Sequence, residues 1–167
     1  MTTATEHAHE FKVTRQWILA GNATFTVKND KGEHYTYRIQ IPLKIRRAEK
    51  SDPARDKPVW FLSVLTGPDN SSSYSYVGML TFPTPETIVL KVTKKSRYHP
   101  DIKLVKVAQW AINCICAGKE LPAGYSIDGM GHCGRCGLPL THPDGIADDG
   151  YRLGFGPVCW ELMQGGN

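Results

Sequence analysis

The stretch 131–160, GHCGRCGLPLTHPDGIADDGYRLGFGPVCW, carries three cysteines in two glycine-rich turns. Cys133 and Cys136 are separated by two residues, with glycines at 131, 134 and 137. Glycine suits such a turn because it adopts positive φ without steric cost, and the turn aims two thiolates at one metal ion. A second turn, GFGPVC, delivers a third thiolate at Cys159. The pattern predicts a metal site, and zinc is the expected ion because tetrahedral thiolate sites favour it.

The fourth ligand of this predicted site is open on the sequence. His142 is the first candidate because it follows Cys136 after a short interval, on the turn LTHPDG. The other candidates are His132, Asp148 and Asp149. His132 adjoins the first cysteine, and adjacent residues rarely both reach one tetrahedral centre. The alternative interpretation is a loop of free thiols with accidental spacing. It is the weaker interpretation, because two cysteine motifs flanked by glycines rarely occur together by chance.

Length and composition favour a globular protein with a hydrophobic core. The chain has 167 residues, 41% hydrophobic and 22% charged, which fits one domain with a small appended module. No apolar run is long enough to span a bilayer, and the opening MTTATEHAHE does not resemble a secretory signal. Five cysteines then favour a reducing cytoplasm and metal-bound thiolates over disulfides. The predicted organisation is a disordered stretch at 1–10, an α+β body at 11–124 and a zinc-binding module at 125–167.

Hydrophobic periodicity predicts the elements of the body. Alternating apolar residues indicate strands at 23–27, 35–41, 59–66, 74–82 and 87–92, of which the first two form a hairpin. The fourth strand is expected to end at Pro83 and to place on one side Tyr74, Tyr76, Gly78 and Leu80. An amphipathic helix follows from Leu104 to Ile115, with Gly118 as its C-cap. The expected fold is α+β: a mostly antiparallel sheet of about five strands, one packed helix and a C-terminal zinc-knuckle-like loop.

Two shorter segments have less periodicity. The residues 11–19 fit either a short helix or the start of a strand, and 157–163 fit a short helix that packs the metal loop on the body. Cys114 and Cys116 lie two apart on the predicted helix and point to different sides, so they cannot bind one metal as a knuckle does. We expect them to be buried free thiols.

Charge is unevenly distributed, although the net charge is only +4. Basic residues concentrate in the runs 44–57 and 91–106, whereas the cysteine segment is acidic. If the protein binds nucleic acid, the expected contacts are therefore in the body, at Lys91, Lys94, Lys95, Arg97, Lys103, Arg46 and Arg47. Tyrosines at 35, 37, 74, 76 and 98 could stack on bases, although alternating tyrosines on strands more often form cross-strand packing.

The cysteine segment resembles a C-terminal module of small uncharacterised proteins from phages and actinobacteria, which reads C-x-x-C-G-x-x-L-T-x-P and then G-x-G-P-x-C. The matching residues are Cys133, Cys136, Gly137, Leu140, Thr141, Pro143, Gly154, Gly156, Pro157 and Cys159. The body is similar through AGNATFT at 20–26, LTGPDN at 65–70 and TKKSR at 93–97. The resemblance implies a metal-binding accessory protein of a phage or prophage, and it indicates no particular activity because the family has no established one.

This sequence departs from the family pattern near the cysteines. Gly129 stands near the place of a histidine that precedes the first cysteine in the family, and Gly145 stands where a serine is usual. The loop to the third cysteine is lengthened at 148–152. These departures leave the fourth ligand undetermined and make His142 a better candidate.

Three function classes are compared. The first is an accessory protein that binds nucleic acid through its basic runs. The second is a protein-binding module that inhibits or modulates a host complex, such as a defence complex. An enzyme is not expected, because the chain has no His-x-Glu or His-Glu-x-x-His pattern and no Walker, nucleophile-elbow or dinucleotide motif. No small-molecule substrate is evident.

Overall fold

Six antiparallel strands form one sheet, and a single long helix covers one of its faces. In the computed structural model, the described residues are 13–42, 58–67, 73–129, 132–138, 154–155, 159 and 163. The strands are β1 (Asn22–Lys28), β2 (His34–Gln40), β3 (Phe61–Leu65), β4 (Tyr74–Thr84), β5 (Thr87–Lys91) and β6 (Ser126–Asp128). Their order is β5-β4-β3-β2-β1-β6. The α+β prediction is confirmed, with β6 as a strand that three residues were too few to reveal.

The hairpin of β1 and β2 is as predicted. The Asn29 side chain accepts hydrogen bonds from the amides of Lys31 and Glu33, so it closes the turn in the manner expected of asparagine. Phe25 lies opposite Tyr37 in the register, and both side chains are fully buried. The apolar residues that alternate along both strands therefore face the core.

Strand β4 differs from its prediction in two ways. The register with β3 shifts between Leu62 and Ser63, so that Gly78 lies opposite Leu62 and Tyr76 lies opposite Ser63. This β-bulge changes the face on which successive residues lie, and the expected common face of Tyr74, Tyr76, Gly78 and Leu80 is wrong. The strand also continues through Pro83, because a second register shift removes the need for an amide hydrogen bond there.

Two helices whose bounds are described pack on the same side of the sheet. Helix α1 (Arg15–Ile18) begins at the N-cap Thr14, whose hydroxyl accepts from the Trp17 amide, so the helical alternative is the observed one in 13–19, the described part of the predicted segment 11–19. Helix α2 (Lys103–Ala117) ends at Gly118, which adopts the left-handed conformation (φ 65°) as predicted. Neither of these described helices is long and apolar enough to cross a membrane.

The core lies between α2 and the sheet. Buried residues of α2, such as Ala108 and Ile112, join the buried strand residues and Trp17 in one cluster. The Tyr37 hydroxyl donates to the carbonyl of Leu104 (2.6 Å). Gln109 accepts from the Leu90 amide (2.7 Å) and donates to the Ile88 carbonyl (3.0 Å), so the helix also hydrogen-bonds the edge strand β5. Cys114 and Cys116 are free as predicted, but they are half-buried and not buried, and burial raises the pKa of Cys116.

Candidate metal centre

The three predicted cysteine ligands meet at one point. The sulfur atoms of Cys133, Cys136 and Cys159 all lie within 4.8 Å of one another, and Cys133 and Cys159 are buried (1% and 7% exposed). Sulfurs that share a tetrahedral zinc ion at a Zn–S distance of about 2.3 Å are about 3.8 Å apart. The described donor set therefore fits three corners of such a site.

Backbone hydrogen bonds close the turn that carries the first two thiols. The Cys133 amide donates to the Leu138 carbonyl (2.9 Å), and the Gly137 amide donates back to the Cys133 carbonyl (2.8 Å). Gly137 has φ +78°, a conformation that side chains rarely adopt. The local sequence thus forms the predicted knuckle-like loop.

Trp17 joins this loop to the body. Its Nε1 donates to the Gly154 carbonyl (3.0 Å), which also accepts from the Gly134 amide (3.0 Å). A Cβ atom at Gly134 would lie 2.6 Å from the Trp17 ring, so only glycine fits against the indole. One buried side chain therefore holds the turn of the first two cysteines and the turn before the third.

Asn22, at the start of β1, makes a second attachment. Its amide donates to the Gly134 carbonyl (2.9 Å), and its side-chain Nδ2 donates to the Cys136 carbonyl (3.2 Å). Gln40 donates in turn to the Asn22 Oδ1 (3.1 Å), which orients the side chain. The loop is thereby fixed to the end of the β1–β2 hairpin.

A cation among the sulfurs would change the ionisation of the three thiols. Burial raises the pKa of the Cys136 thiol to about 11, and the neighbouring Cys133 and Cys159 thiols add to the rise. A bound cation opposes this effect because it stabilises thiolates. Arg135 donates to the Cys159 sulfur (3.5 Å). Three thiolates and a divalent ion would carry a net charge of minus one, which the Arg135 guanidinium would balance.

The candidates for the fourth ligand divide into two groups. His142, Asp148 and Asp149 lie outside the described residues. His132 is described, and it is not part of the cluster that the three sulfurs form. Its Nδ1 atom is buried without a hydrogen-bond partner. The assignment of His142 as a ligand stays a prediction.

The predicted nucleic-acid contacts fall in different places. Lys91, Lys94, Lys95 and Arg97 are all exposed, at the end of β5 and in the loop after it. Lys103 lies at the start of α2, where its ammonium donates to a Glu33 carboxylate oxygen (2.7 Å). This hydrogen bond raises the pKa of Lys103 and lowers that of Glu33. Arg46 and Arg47 lie outside the described residues.

Sequence reasoning missed Trp17 and Asn22. Both lie more than 100 residues before the cysteines that they support, and neither belongs to a metal-binding motif. The AGNATFT segment includes Asn22, but it carries a resemblance and no metal-binding pattern. No protein family model, curated protein or solved structure matches this chain.

Proposed function

We propose that Cys133, Cys136 and Cys159 hold a structural zinc ion that fastens the C-terminal segment to the sheet. The observation that carries the proposal is the convergence of three sulfurs on one point, with two buried and all beside the core. The attachments at Trp17 and Asn22 give such an ion a mechanical role, because it would lock both turns against the body. His142 is the proposed fourth ligand.

A structural role is favoured over a catalytic one. Three thiolates donate charge to the ion and reduce its strength as a Lewis acid, and no histidine–glutamate pair typical of zinc hydrolases occurs in the sequence. We keep 125–167 as the proposed extent of the zinc-binding module. This range includes β6 (Ser126–Asp128), which pairs with β1 of the sheet.

The test is native mass spectrometry of the purified chain with elemental metal analysis. One zinc per chain is expected, with loss of that zinc in Cys136→Ser and retention in the control Cys114→Ser. Limited proteolysis should then cleave the C-terminal third of Cys136→Ser while the sheet stays protected. A wild-type chain without metal, or a Cys136→Ser chain that keeps it, would contradict the proposal.

We further propose that the protein binds nucleic acid, as an accessory protein of the phage or prophage type that the sequence resembles. The supporting observation is the basic loop, residues 91–97, which carries four exposed cations and no acidic residue. The matched test compares Lys94→Gln/Lys95→Gln/Arg97→Gln with the control Lys31→Gln/Lys106→Gln/Lys119→Gln, which removes the same charge from exposed sites elsewhere. Only the first variant should weaken binding and flatten its salt dependence. No binding by the wild type would favour the alternative, a module that binds a host protein.

A further inference from the structure

The face of the sheet opposite α2, here called the outer face, carries a continuous row of side chains. Cross-strand partners across five strands are Asn22, Gln40, Phe61, Met79 and Lys91. Cross-strand partners share a face, and strands lie about 4.8 Å apart, so the row spans about 19 Å. It runs from the residue that holds the metal loop to the first cation of the basic loop.

A second row lies beside the first and adds aromatic and cationic groups. Its members are Thr24, Arg38, Ser63 and Tyr76. The Tyr76 and Phe61 rings pack edge to face (5.8 Å, 70°), and the Arg38 guanidinium lies 3.7 Å above the centre of the Tyr74 ring. These contacts place aromatic rings and one stacked guanidinium together on the outer face.

No described helix covers this face. Both α1 and α2 contribute to the core on the other side, where Tyr37 is buried and bonded to Leu104. The outer-face rings of Phe61, Tyr74 and Tyr76 are half-buried, in contrast to Tyr37, which is fully buried. The structure therefore separates the tyrosines that stabilise the core from those that a ligand can reach.

The basic loop is fixed to the edge of the outer face. The hydroxyls of Tyr76 and Thr93 share a hydrogen bond (2.9 Å), and the Ser96 hydroxyl donates to the Tyr76 carbonyl (3.4 Å). Lys94, Lys95 and Arg97 are thus held beside the aromatic rings. Among the described residues of the two rows and of the loop, every charged side chain is a cation.

We infer that the outer face binds single-stranded nucleic acid, with the basic loop on its phosphates and with bases stacked on Phe61, Tyr74 and the Arg38 guanidinium. Proteins that bind single strands without sequence preference combine aromatic or guanidinium stacking platforms with cations that follow the backbone. A paired duplex buries its bases in the stack and cannot use such a platform. This inference rests on the proposed nucleic-acid binding and specifies both its surface and its ligand.

The experiment is fluorescence anisotropy of the full zinc-loaded chain, with labelled oligothymidylate and oligouridylate of about 15 nucleotides and a hairpin duplex of the same length. The variants are Phe61→Leu and Tyr74→Leu, which keep apolar bulk but remove the ring. Their control is Tyr125→Leu, because Tyr125 is an exposed ring (47%) that packs on Trp110 of α2. Circular dichroism verifies that all three variants fold.

We expect the wild type to bind single strands more tightly than the duplex. Removal of an outer-face ring that stacks on a base should weaken the affinity for single strands at least about fivefold. Tyr125→Leu should bind as the wild type does. The triple basic-loop variant should reduce the logarithmic salt slope by about 0.7 for each phosphate that it no longer neutralises. Photocrosslinks from thymine should map to β3 and β4.

Other outcomes overturn the inference in distinguishable ways. Equal binding of duplex and single strand, abolished in the basic-loop variant but unchanged in the ring variants, would refute the outer face and retain nucleic-acid binding. No binding of any oligonucleotide would refute both and leave the zinc proposal intact.

Discussion

The sheet with α2 and the cysteine loop are held together in different ways. The first is a continuous apolar cluster in which strand residues such as Phe25 and Leu62 pack against Ala108 and Ile112. The second adds only a few side chains to that cluster, Phe155 among them, and is otherwise held by hydrogen bonds to Trp17 and Asn22 and by the convergence of three sulfurs. Apolar burial in the sheet and α2 is distributed over many side chains, whereas the described part of the loop has few buried side chains and depends more on single hydrogen-bonding and sulfur atoms. The two regions should therefore respond differently to the same kind of change.

Trp17 belongs to both regions, and its removal should have the largest effect. Trp17→Ala creates a cavity at a fully buried site, so we expect a loss of about 3–5 kcal/mol in the free energy of unfolding. Chemical denaturation measures this loss. Trp17→Phe keeps most of the apolar burial but lacks the indole donor to Gly154, so it should lose zinc to a chelator faster than the wild type. Equal zinc retention in Trp17→Phe would argue that the hydrogen bond to Gly154 is unimportant.

Gly134→Ala should act mainly on the loop. The added methyl would collide with the Trp17 ring, and overpacking of this kind costs about 1–3 kcal/mol. We expect faster chelator-induced zinc release and earlier proteolysis near the cysteines, with a smaller change in the unfolding of the sheet. Leu138→Ala is the control on the same turn, because Leu138 is 66% exposed. A similar effect of both substitutions would contradict the close contact with Trp17.

Substitution of Asn22 should affect the loop with the smallest change in the sheet. Asn22→Asp keeps the acceptor for Gln40 but removes the donor to the Cys136 carbonyl, at an expected cost of about 1 kcal/mol. The zinc dissociation rate should rise, while amide exchange in the middle of β1 and β2 stays as in the wild type. Increased exchange throughout the hairpin would show that Asn22 serves the sheet as much as the loop.

Prediction from the sequence succeeded where the signal lies within a few neighbouring residues. The β1–β2 hairpin, the amphipathic face of α2 and the left-handed Gly118 each have a signal within a few residues. It failed at β6, where three residues give no period, and at the bulge in β4, where one extra residue reverses the alternation after Tyr76. The edge strand β5 was predicted, but its hydrogen bonds to Gln109 were not.

The candidate site was predictable from the sequence only where its signal is local. The spacing of Cys133 and Cys136, together with the glycine-rich turn before Cys159, identified three sulfurs that lie within metal-binding distance of one another, because metal geometry restricts local sequence. Trp17 and Asn22 support those ligands through single hydrogen bonds between distant residues, and such bonds leave no periodic trace. The two faces of the sheet were likewise indistinguishable until the register placed Tyr37 in the core and Tyr76 outside it.

The distance along the chain between Trp17 and Gly154 has a consequence for the order of folding. These partners are 137 residues apart, and Asn22 and Cys136 are 114 apart, so each contact closes a very long loop. Closing such loops in an unfolded chain is entropically costly and slow. Once the sheet has formed, however, β1 is held in place and the remaining search is short. Metal capture should therefore be a late kinetic event, and acquisition of the ion would mark those molecules whose sheet has already formed.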